Sequence, residues 1–258
     1  METTQDNLIT RDASNKHFDD DLLAKFAETF YGYGDYNAPY WFVGMEEGGG
    51  KHFEDVERRL SVWQQQRREL EDVAEFHRAI GFARLFDNKP ILQPTWNKLI
   101  RILLSAEGQD VQTEQVREYQ RDSLGRVSGG KNCLIELLPL PSPGIKDWTY
   151  TTWSYLPQLK SREEYKEHYM CDRAKHIQER IDQYRPRVVV FYSTTKEYME
   201  CWEYIAGASF PSAETGKTPY IARRDGMLFV VTSHPATKGL TNEYFHGIGQ
   251  SIAQELGR

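Results

Sequence analysis

PYWFVGMEEGGG, residues 39–50, joins an apolar strand to a turn that carries two carboxylates and three glycines. Residues 39–44 form a near-continuous run of β-favouring side chains, which is typical of a strand buried on both faces of a parallel sheet. Glu46 and Glu47 follow directly, and glycine lets the backbone of such a turn approach a ligand closely. Because Lys51 is not followed by Ser or Thr, the stretch is not a phosphate-binding loop. It predicts a buried strand that ends either at an acidic site or at a solvated acidic turn.

Three further apolar runs have the same character as the first. They are NCLIELL at residues 132–138, RVVVFY at 187–192 and MLFVVTS at 227–233. Helical patterns separate the four runs, and strands that alternate with helices form a parallel sheet covered on both faces. The sequence therefore predicts a three-layer α/β/α fold with a central, mainly four-stranded parallel sheet.

The helices are predicted from apolar residues that recur three and four positions apart, together with the residues that cap helices. They are one from Val56 to Gly81, one around residues 96–104, one from the capping box at Ser161 to the residue before Pro186, and one from near Thr241 to Leu256. Each connects two of the predicted strands or follows the last of them.

The charge of the chain is unevenly distributed. With 38 acidic and 32 basic residues among 258, the net charge of −6 argues against a protein that coats nucleic acid non-specifically. Residues 1–30 alone contain seven acids and three bases. We therefore expect residues 1–35 to form an acidic N-terminal segment with a helix. Residues 36–258 are expected to form a single α/β domain with a helical insertion at about 54–130.

Basic residues near the predicted strand ends offer either a nucleic-acid surface or an ordinary mixed-charge surface. They are Lys51, Lys217, Arg223, Arg224 and Lys238, with Arg58, Arg59, Arg67 and Arg68 on the first long helix. A surface that binds DNA predicts binding that weakens steeply with salt.

The three cysteines, Cys133, Cys171 and Cys201, lie far apart and lack CxxC spacing. They are typical of buried thiols in a reducing compartment, so a cytoplasmic location is expected, with no metal centre and no cofactor. The N-terminal residues lack the apolar core of a signal peptide, and no apolar run is long enough to span a membrane.

Residues that directly follow the strands are the candidates for a site, because ligands of parallel sheets bind at the carboxyl ends of the strands. His234 and Pro235 follow the last strand, where the imidazole can donate to a ligand or serve a structural role. Lys238 and Gly239 come just before the last helix and suit a phosphate. A serine triad is not expected, since the chain has no G-x-S-x-G sequence.

Four segments together resemble the uracil-DNA glycosylase superfamily, in the order in which the family has them. YWFVGMEEGGG is similar to its first motif, NCLIELLPLPSP to its central strand, RPRVVVFYSTT to its third strand and VVTSHPATKG to its His-Pro-Ser loop. The resemblance covers about residues 36–256. It implies a glycosylase that flips a base out of DNA, hydrolyses its N-glycosidic bond without a covalent intermediate, and leaves an abasic site. Some branches hold a four-cysteine iron–sulfur cluster, which three scattered cysteines cannot supply.

The resemblance assigns roles position by position. Glu46 takes the place of the residue that activates water, His234 that of the donor to the departing base, and Glu136 that of the Asn that reads the base. Met45 is assigned to the base pocket, with Phe53 and Trp96 as alternatives for the stacking aromatic. The assignments to the DNA backbone are Pro235, Thr237, Lys238, Gly239 and Ser193.

Glu136 differs from the Asn that reads the base in the family, and this difference bears on which base is the substrate. Asn satisfies both the N3–H and the O4 of uracil, whereas an ionised Glu faces O4 with negative charge. A protonated Glu136 satisfies cytosine, whose N4 donates and whose N3 accepts. We therefore expect a modified cytosine or another non-canonical base rather than plain uracil, as in family members that excise bulky cytosines from viral DNA in phage defence. If the register is shifted, Asn132 is the alternative reader.

Two other functions fit the same residues. One is a catalytically inactive protein of this fold that binds nucleic acid or a nucleobase. The other is an unrelated α/β hydrolase or transferase that acts on free nucleosides or nucleotides, with no need for a DNA chain.

Overall fold

A computed structural model describes the chain over residues 16–144, 146–211 and 219–258. Residues 1–15 of the acidic segment and Lys217 lie outside the described residues. Within the described ranges the chain forms one seven-stranded sheet and eight α-helices. The strands are β1 Gly32–Gly34, β2 Tyr40–Gly48, β3 Leu70–Glu71, β4 Asn132–Ser142, β5 Val188–Tyr192, β6 Tyr220–Arg224 and β7 Met227–Thr232. The helices are α1 Asp20–Thr29, α2 Phe53–Trp63, α3 Val73–Ala79, α4 Pro94–Ala106, α5 Thr113–Asp122, α6 Arg162–Tyr184, α7 Lys196–Ala206 and α8 Asn242–Glu255.

The sheet has the order β3-β1-β4-β2-β5-β7-β6. Its four central strands, β4, β2, β5 and β7, are parallel and are the four that the sequence predicts. The short β1 and β6 pair antiparallel to β4 and β7 at the two sides, and β3 pairs with β1. Every residue of β5 and β7 is buried, as continuous apolar runs require in a sheet covered on both faces.

Helices cover both faces of the sheet, which confirms the three-layer α/β/α fold. On one face α4 packs against α8, where the Ser105 hydroxyl donates to the His246 carbonyl over 2.9 Å. On the other face α6 packs against α7. The right-handed crossover of parallel strands places α6 and α7 opposite α4. In the described residues each helix is too short or too polar to cross a bilayer.

Arg173, on α6, forms hydrogen bonds that link this helix to the sheet and to α1. Its buried guanidinium donates to the Leu137 carbonyl over 2.7 Å and to the Glu136 carbonyl over 2.9 Å, both on β4. A third bond, of 3.0 Å, reaches the Ala27 carbonyl on α1. The described part of the N-terminal segment thus packs on the main sheet.

The predicted long helix from Val56 to Gly81 is wrong. The chain instead forms α2, the short strand β3 and α3. Arg67 takes a positive φ of 52° after α2, and the Trp63 indole donates to the Arg68 carbonyl over 2.8 Å. Asp72 then starts α3, because its carboxylate accepts from the backbone N–H of Ala74 and Glu75.

The other predicted helices are confirmed. Ser161 caps α6 by accepting from the Glu164 N–H over 3.1 Å, and the helix ends two residues before Pro186. Thr241 caps α8 in the same way. α4 spans the predicted residues 96–104.

Candidate active site

A cavity of about 510 Å³ opens at the carboxyl ends of the central strands. β4, the next long strand after β2 in the chain, pairs on one side of β2, and β5 pairs on its other side. The boundary between β2 and β5 is therefore a topological switch point. Ligands of open parallel sheets bind at such a point. Glu46, Glu136 and His234, predicted from three different strands, all line this cavity.

Glu136 lines the cavity from β4 and has one buried oxygen without a partner among the described residues. The Tyr192 hydroxyl donates to its Oε1 over 2.9 Å, whereas Oε2 is buried with no partner among the described residues. Burial raises the pKa of Glu136 to about 8; the Tyr192 hydrogen bond opposes this shift, and the negative charges of Glu47 and Glu46 add to it. The carboxyl group is therefore neutral at pH 7. With Oε1 accepting from Tyr192, the acid proton belongs on Oε2, where it can be donated to a ligand.

Gly44, on β2, makes room for the pair formed by Glu136 and Tyr192. A Cβ atom at this position overlaps the Tyr192 hydroxyl and Glu136 Oε2, both closer than atoms can approach. The absence of a side chain at Gly44 therefore allows the acid and the phenol to meet beneath the cavity.

Replacing Gly44 with Ala is expected to destabilise the fold by about 1–3 kcal/mol, because the added methyl group overpacks a buried site. Gly48→Ala is the matched control in the same strand, since a Cβ there has no atom within 4 Å. Urea unfolding of both variants measures the difference. Equal loss of stability in both would show that Gly44 is not required by this contact.

Glu46 is held at the cavity by Arg162, the first residue of α6. The Arg162 guanidinium donates to Glu46 Oε2 over 2.6 Å, and Oε1 is buried without a partner among the described residues. Burial raises the pKa of Glu46 to about 7, although Arg162 acts to lower it. Near neutral pH this carboxylate can therefore both accept and release a proton at Oε1.

His234 is a neutral hydrogen-bond donor at neutral pH. Its Nδ1 accepts from the Ala236 backbone N–H over 3.1 Å, which leaves the proton of the neutral ring on Nε2. Burial lowers the pKa of His234, so the neutral ring prevails at pH 7. The ring lies 5.7 Å from that of Tyr192, centroid to centroid, which places it next to Glu136.

Glu47 lines the same cavity as Glu46 but is fully ionised. Arg59 donates to Glu47 Oε2 over 2.9 Å, the Tyr33 hydroxyl donates over 3.1 Å, and His77 Nε2 lies 3.6 Å from Oε1. Burial opposes ionisation, but Arg59 and His77 outweigh it and lower the pKa of Glu47 to about 2. The two consecutive carboxyls therefore differ in charge at neutral pH.

Of the two predicted stacking aromatics, the structure brings one to the site. Trp96, at the start of α4, lines the cavity together with Met45. Phe53 does not line it in the described residues: it stacks on Phe18, with ring centroids 4.4 Å apart, and contacts Trp153 edge-on. As the first residue of α2 it belongs to a packed aromatic cluster, so its assignment to the base pocket is wrong.

The alternative base reader, Asn132, lies at the wrong end of the sheet. It pairs with Tyr40 at the amino end of β4, and its Oδ1 accepts from the Gly125 N–H over 2.8 Å. Its amide nitrogen donates to the Tyr119 hydroxyl over 2.8 Å. Asn132 is therefore a structural residue, and Glu136 is the one that faces the cavity.

The residues assigned to the DNA backbone divide into two groups. Thr237, Lys238 and Gly239 are exposed on the turn after His234 and do not themselves line the cavity. Pro235 is buried beneath that turn. Ser193 is only 2% exposed, and its carbonyl accepts from the Trp202 indole over 3.1 Å. Because it is buried under α7, its assignment to the backbone of DNA is wrong.

Some of the expected basic residues lie away from the cavity. Arg223 and Arg224 pair with Leu228 and Met227 at the amino end of β7, where they form ion pairs with acids of α8 and α6. Arg59 is buried and paired with Glu47 rather than exposed on a basic helix face. Lys51 and Lys238 remain as exposed cations beyond the strand ends.

Several side chains of the site were not predicted from the sequence. Tyr192 ends the predicted strand RVVVFY, and Arg162 belongs to the predicted capping box, so their positions at the carboxyl end of the sheet could have indicated them. Nothing in the sequence indicates that Arg59, His77 and Tyr33 converge on Glu47, because three separate elements bring them together.

In the described residues, no group of three or more His, Cys, Asp or Glu side chains is arranged to hold a metal ion. Cys133 is buried and Cys171 is exposed. The sequence matches no protein-family model, and a search of curated proteins finds no significant match. A function for the cavity therefore rests on the chemistry of its side chains.

Proposed function

We propose that the protein is a monofunctional DNA glycosylase that hydrolyses the N-glycosidic bond of a flipped-out base, with a modified cytosine or other non-canonical base preferred over plain uracil. The observation that carries the proposal is the buried carboxyl group of Glu136, which lines the cavity and accepts from the Tyr192 hydroxyl. Its Oε2 is buried and unpaired in a cavity that also holds His234 and Glu46. Buried polar groups rarely lack a partner, so a ligand is the natural partner here.

The carboxylic acid of Glu136 matches the edge of cytosine. In the proposed complex, Oε2–H donates to N3 and Oε1 accepts from the N4 amine, while Oε1 keeps its bond from Tyr192. Uracil places its N3–H opposite Oε2–H, so a donor faces a donor. It places O4 opposite Oε1, so an acceptor faces an acceptor. Each mismatch in a buried site costs about 1–3 kcal/mol. The volume of about 510 Å³ lies in the range of pockets for molecules larger than a bare base, which leaves room for a substituent.

Glu46 and His234 supply the two functions that hydrolysis needs. Water attacks C1′ of the sugar and gives its proton to Glu46 Oε1, while the N-glycosidic bond breaks and its electron pair leaves with the base. The Nε2–H of His234 donates to the base as negative charge develops on it. The base is then protonated, and an abasic site remains in the strand.

The helix ends around the cavity suit a nucleic-acid strand. Residues at the starts of α4, α6 and α7, namely Trp96, Arg162 and Tyr198, line the cavity. Helix N-termini carry partial positive charge and unpaired N–H groups, which favour phosphate. The starts of these three helices therefore add partial positive charge at this edge of the sheet.

The raised pKa values of the two acids lead to a narrow optimum in pH. We expect kcat/KM to fall below about pH 7, as Glu46 is protonated, and above about pH 8, as Glu136 is ionised. Glu136→Gln is the control, because an amide keeps an N–H donor next to Tyr192 and does not titrate. In the pH profile of kcat/KM, this variant is expected to lose the fall above pH 8 and to keep the fall below pH 7. An alkaline limb that survives in Glu136→Gln would contradict the role of Glu136.

The proposed function is tested with oligonucleotides that carry single modified bases, incubated with the protein and then cleaved with alkali at abasic sites. Cleavage that depends on Glu46 and weakens steeply with salt supports a DNA glycosylase. Binding across the panel without cleavage would support an inactive binding protein. Activity on free nucleosides, with little dependence on salt, would support a small-molecule hydrolase or transferase.

A further inference from the structure

Two of the three cysteines lie where α6 packs against α7. Cys171, on α6, is exposed, and Cys201, on α7, is half-buried. Burial raises the pKa of the Cys201 thiol to about 11, and the negative charge of Cys171 is the next largest cause of the shift. Charges near a protein surface are screened beyond about 10 Å. The two thiols are therefore neighbours in space, although they are far apart in the sequence.

Two contacts between the helices enclose the cysteines. Near the start of both helices, the Lys166 amine lies 2.5 Å from the Glu197 carboxylate. Towards the end of α7, the Gln178 amide donates to the Tyr204 carbonyl over 2.5 Å. The helices therefore run in the same direction along their contact, and each cysteine falls between the two contacts on its own helix.

The helical repeat turns each cysteine towards the other helix. Cys171 lies seven residues before Gln178, which is close to two full turns of α6. Cys201 lies four residues after Glu197, and residues four apart share one face of a helix. Gln178 and Glu197 both contact the opposite helix. Each thiol is therefore on the side of its helix that meets the other.

The two thiols differ in their access to solvent. Cys171 is exposed, so a dissolved oxidant can reach its sulfur. Cys201 is half-buried, and its raised pKa keeps it protonated at neutral pH. The third cysteine, Cys133, is fully buried within β4. An exposed thiol next to a protected one is the arrangement in which the first reacts and the second completes a disulfide.

We propose that Cys171 and Cys201 form a reversible disulfide that joins α6 to α7. The residues at the starts of these helices belong to the cavity: Arg162 holds Glu46, and Tyr198 lines the wall. The disulfide therefore braces the helices that carry part of the site when the surroundings become oxidising. This role at the cavity rests on the DNA glycosylase function, whereas the formation of the bond does not.

A small disulfide such as oxidised glutathione supplies the oxidising equivalents. The Cys171 thiolate attacks one of its sulfur atoms, the S–S bond breaks, and one glutathione leaves as a thiolate. The Cys201 thiol then gives up its proton and attacks the Cys171 sulfur, which releases the second glutathione. Two protein thiols are thereby oxidised to one disulfide, and oxidised glutathione is reduced to two thiols.

The test is incubation with oxidised glutathione, followed by intact-mass spectrometry and peptide mapping without reductant. The wild type is expected to lose the mass of two hydrogen atoms as a monomer, with the Cys171 and Cys201 peptides joined, and dithiothreitol should reverse the change. Cys201→Ser should stop at a glutathione adduct on Cys171, and Cys171→Ser should remain unmodified. Cys133→Ala is the matched control, because it removes a buried thiol and should still form the bond.

Oxidation should also raise the midpoint of urea unfolding of the wild type by roughly 1 M, because the bond restricts the unfolded chain. Neither serine variant should show this shift. Between the midpoints of the reduced and the oxidised wild type, the oxidised protein should retain excision of modified cytosine and the reduced protein should lose it.

A glutathione adduct on Cys171 of the wild type that does not proceed to the internal bond would overturn the proposal. A disulfide between two molecules through Cys171 would overturn it as well. Formation of the internal bond in a protein that excises no base would remove the glycosylase function and leave the disulfide standing. Excision without the internal bond would remove the disulfide and leave the glycosylase function standing.

Discussion

Glu46→Gln is expected to reduce base excision by roughly 10²–10⁴-fold, because an amide cannot take the proton of the attacking water. The substitution is nearly isosteric, and the amide oxygen can still accept from Arg162. Binding of the strand should therefore change much less than the rate of the chemical step. Single-turnover excision, measured alongside the affinity for the strand, separates the two effects.

Glu69→Gln provides the matched control for Glu46→Gln. Glu69 also forms an ion pair with an arginine, Arg180, at a distance of 2.5 Å, but it lies beside β3 and away from the cavity. Excision by this variant should equal that of the wild type. A loss in Glu69→Gln similar to that in Glu46→Gln would mean that removal of any ion pair between a glutamate and an arginine accounts for the effect.

His234→Ala is expected to slow excision by roughly 10²–10³-fold, the usual loss when one donor to a developing anion is removed. Because His234 is neutral at pH 7, the loss should be constant across the neutral range rather than follow a titration. It should also be greater for a base that is a poor leaving group, since such a base depends more on the donor.

His234→Gln tests the chemistry of the lost group, because its amide restores an N–H donor near the same position. Partial recovery relative to His234→Ala supports donation from Nε2. His176→Ala controls for loss of an imidazole, because the ring of His176 contacts Glu69 away from the cavity. Wild-type rates in His234→Ala would show that the departing base does not depend on this residue.

The central sheet could be predicted because its strands have no other plausible structure. Runs such as RVVVFY are too short for a buried helix and too apolar for a loop, and the residues just after parallel strands must meet at one edge. This logic placed Glu46 and His234 at one edge of the sheet, whereas Glu136, which lies inside its strand, was assigned from the family resemblance; all three line the cavity. The short outer strands β1, β3 and β6 have two to five residues and no clear alternation, so their pattern carried no signal.

The contrast between Glu46 and Glu47 could not be predicted, because the two residues are chemically identical neighbours. Their pKa values diverge to about 7 and about 2 because one contacts a single arginine and the other is enclosed by Arg59, His77 and Tyr33. Those partners come from α2, α3 and β1, so only the assembled fold defines them. Phe53 packs in an aromatic cluster and Arg59 is buried against Glu47, so neither residue is available as a stacking aromatic or a surface cation.

The measurement that tests the central claim most directly compares two bases in one context. A single-stranded oligonucleotide carries either uracil or a cytosine with a C5 substituent, such as 5-hydroxymethylcytosine, at the same position. Single-turnover excision is followed at a pH between the pKa values of Glu46 and Glu136. The neutral Glu136 carboxyl should make the modified cytosine the faster substrate. Faster release of uracil would contradict the proposed base recognition.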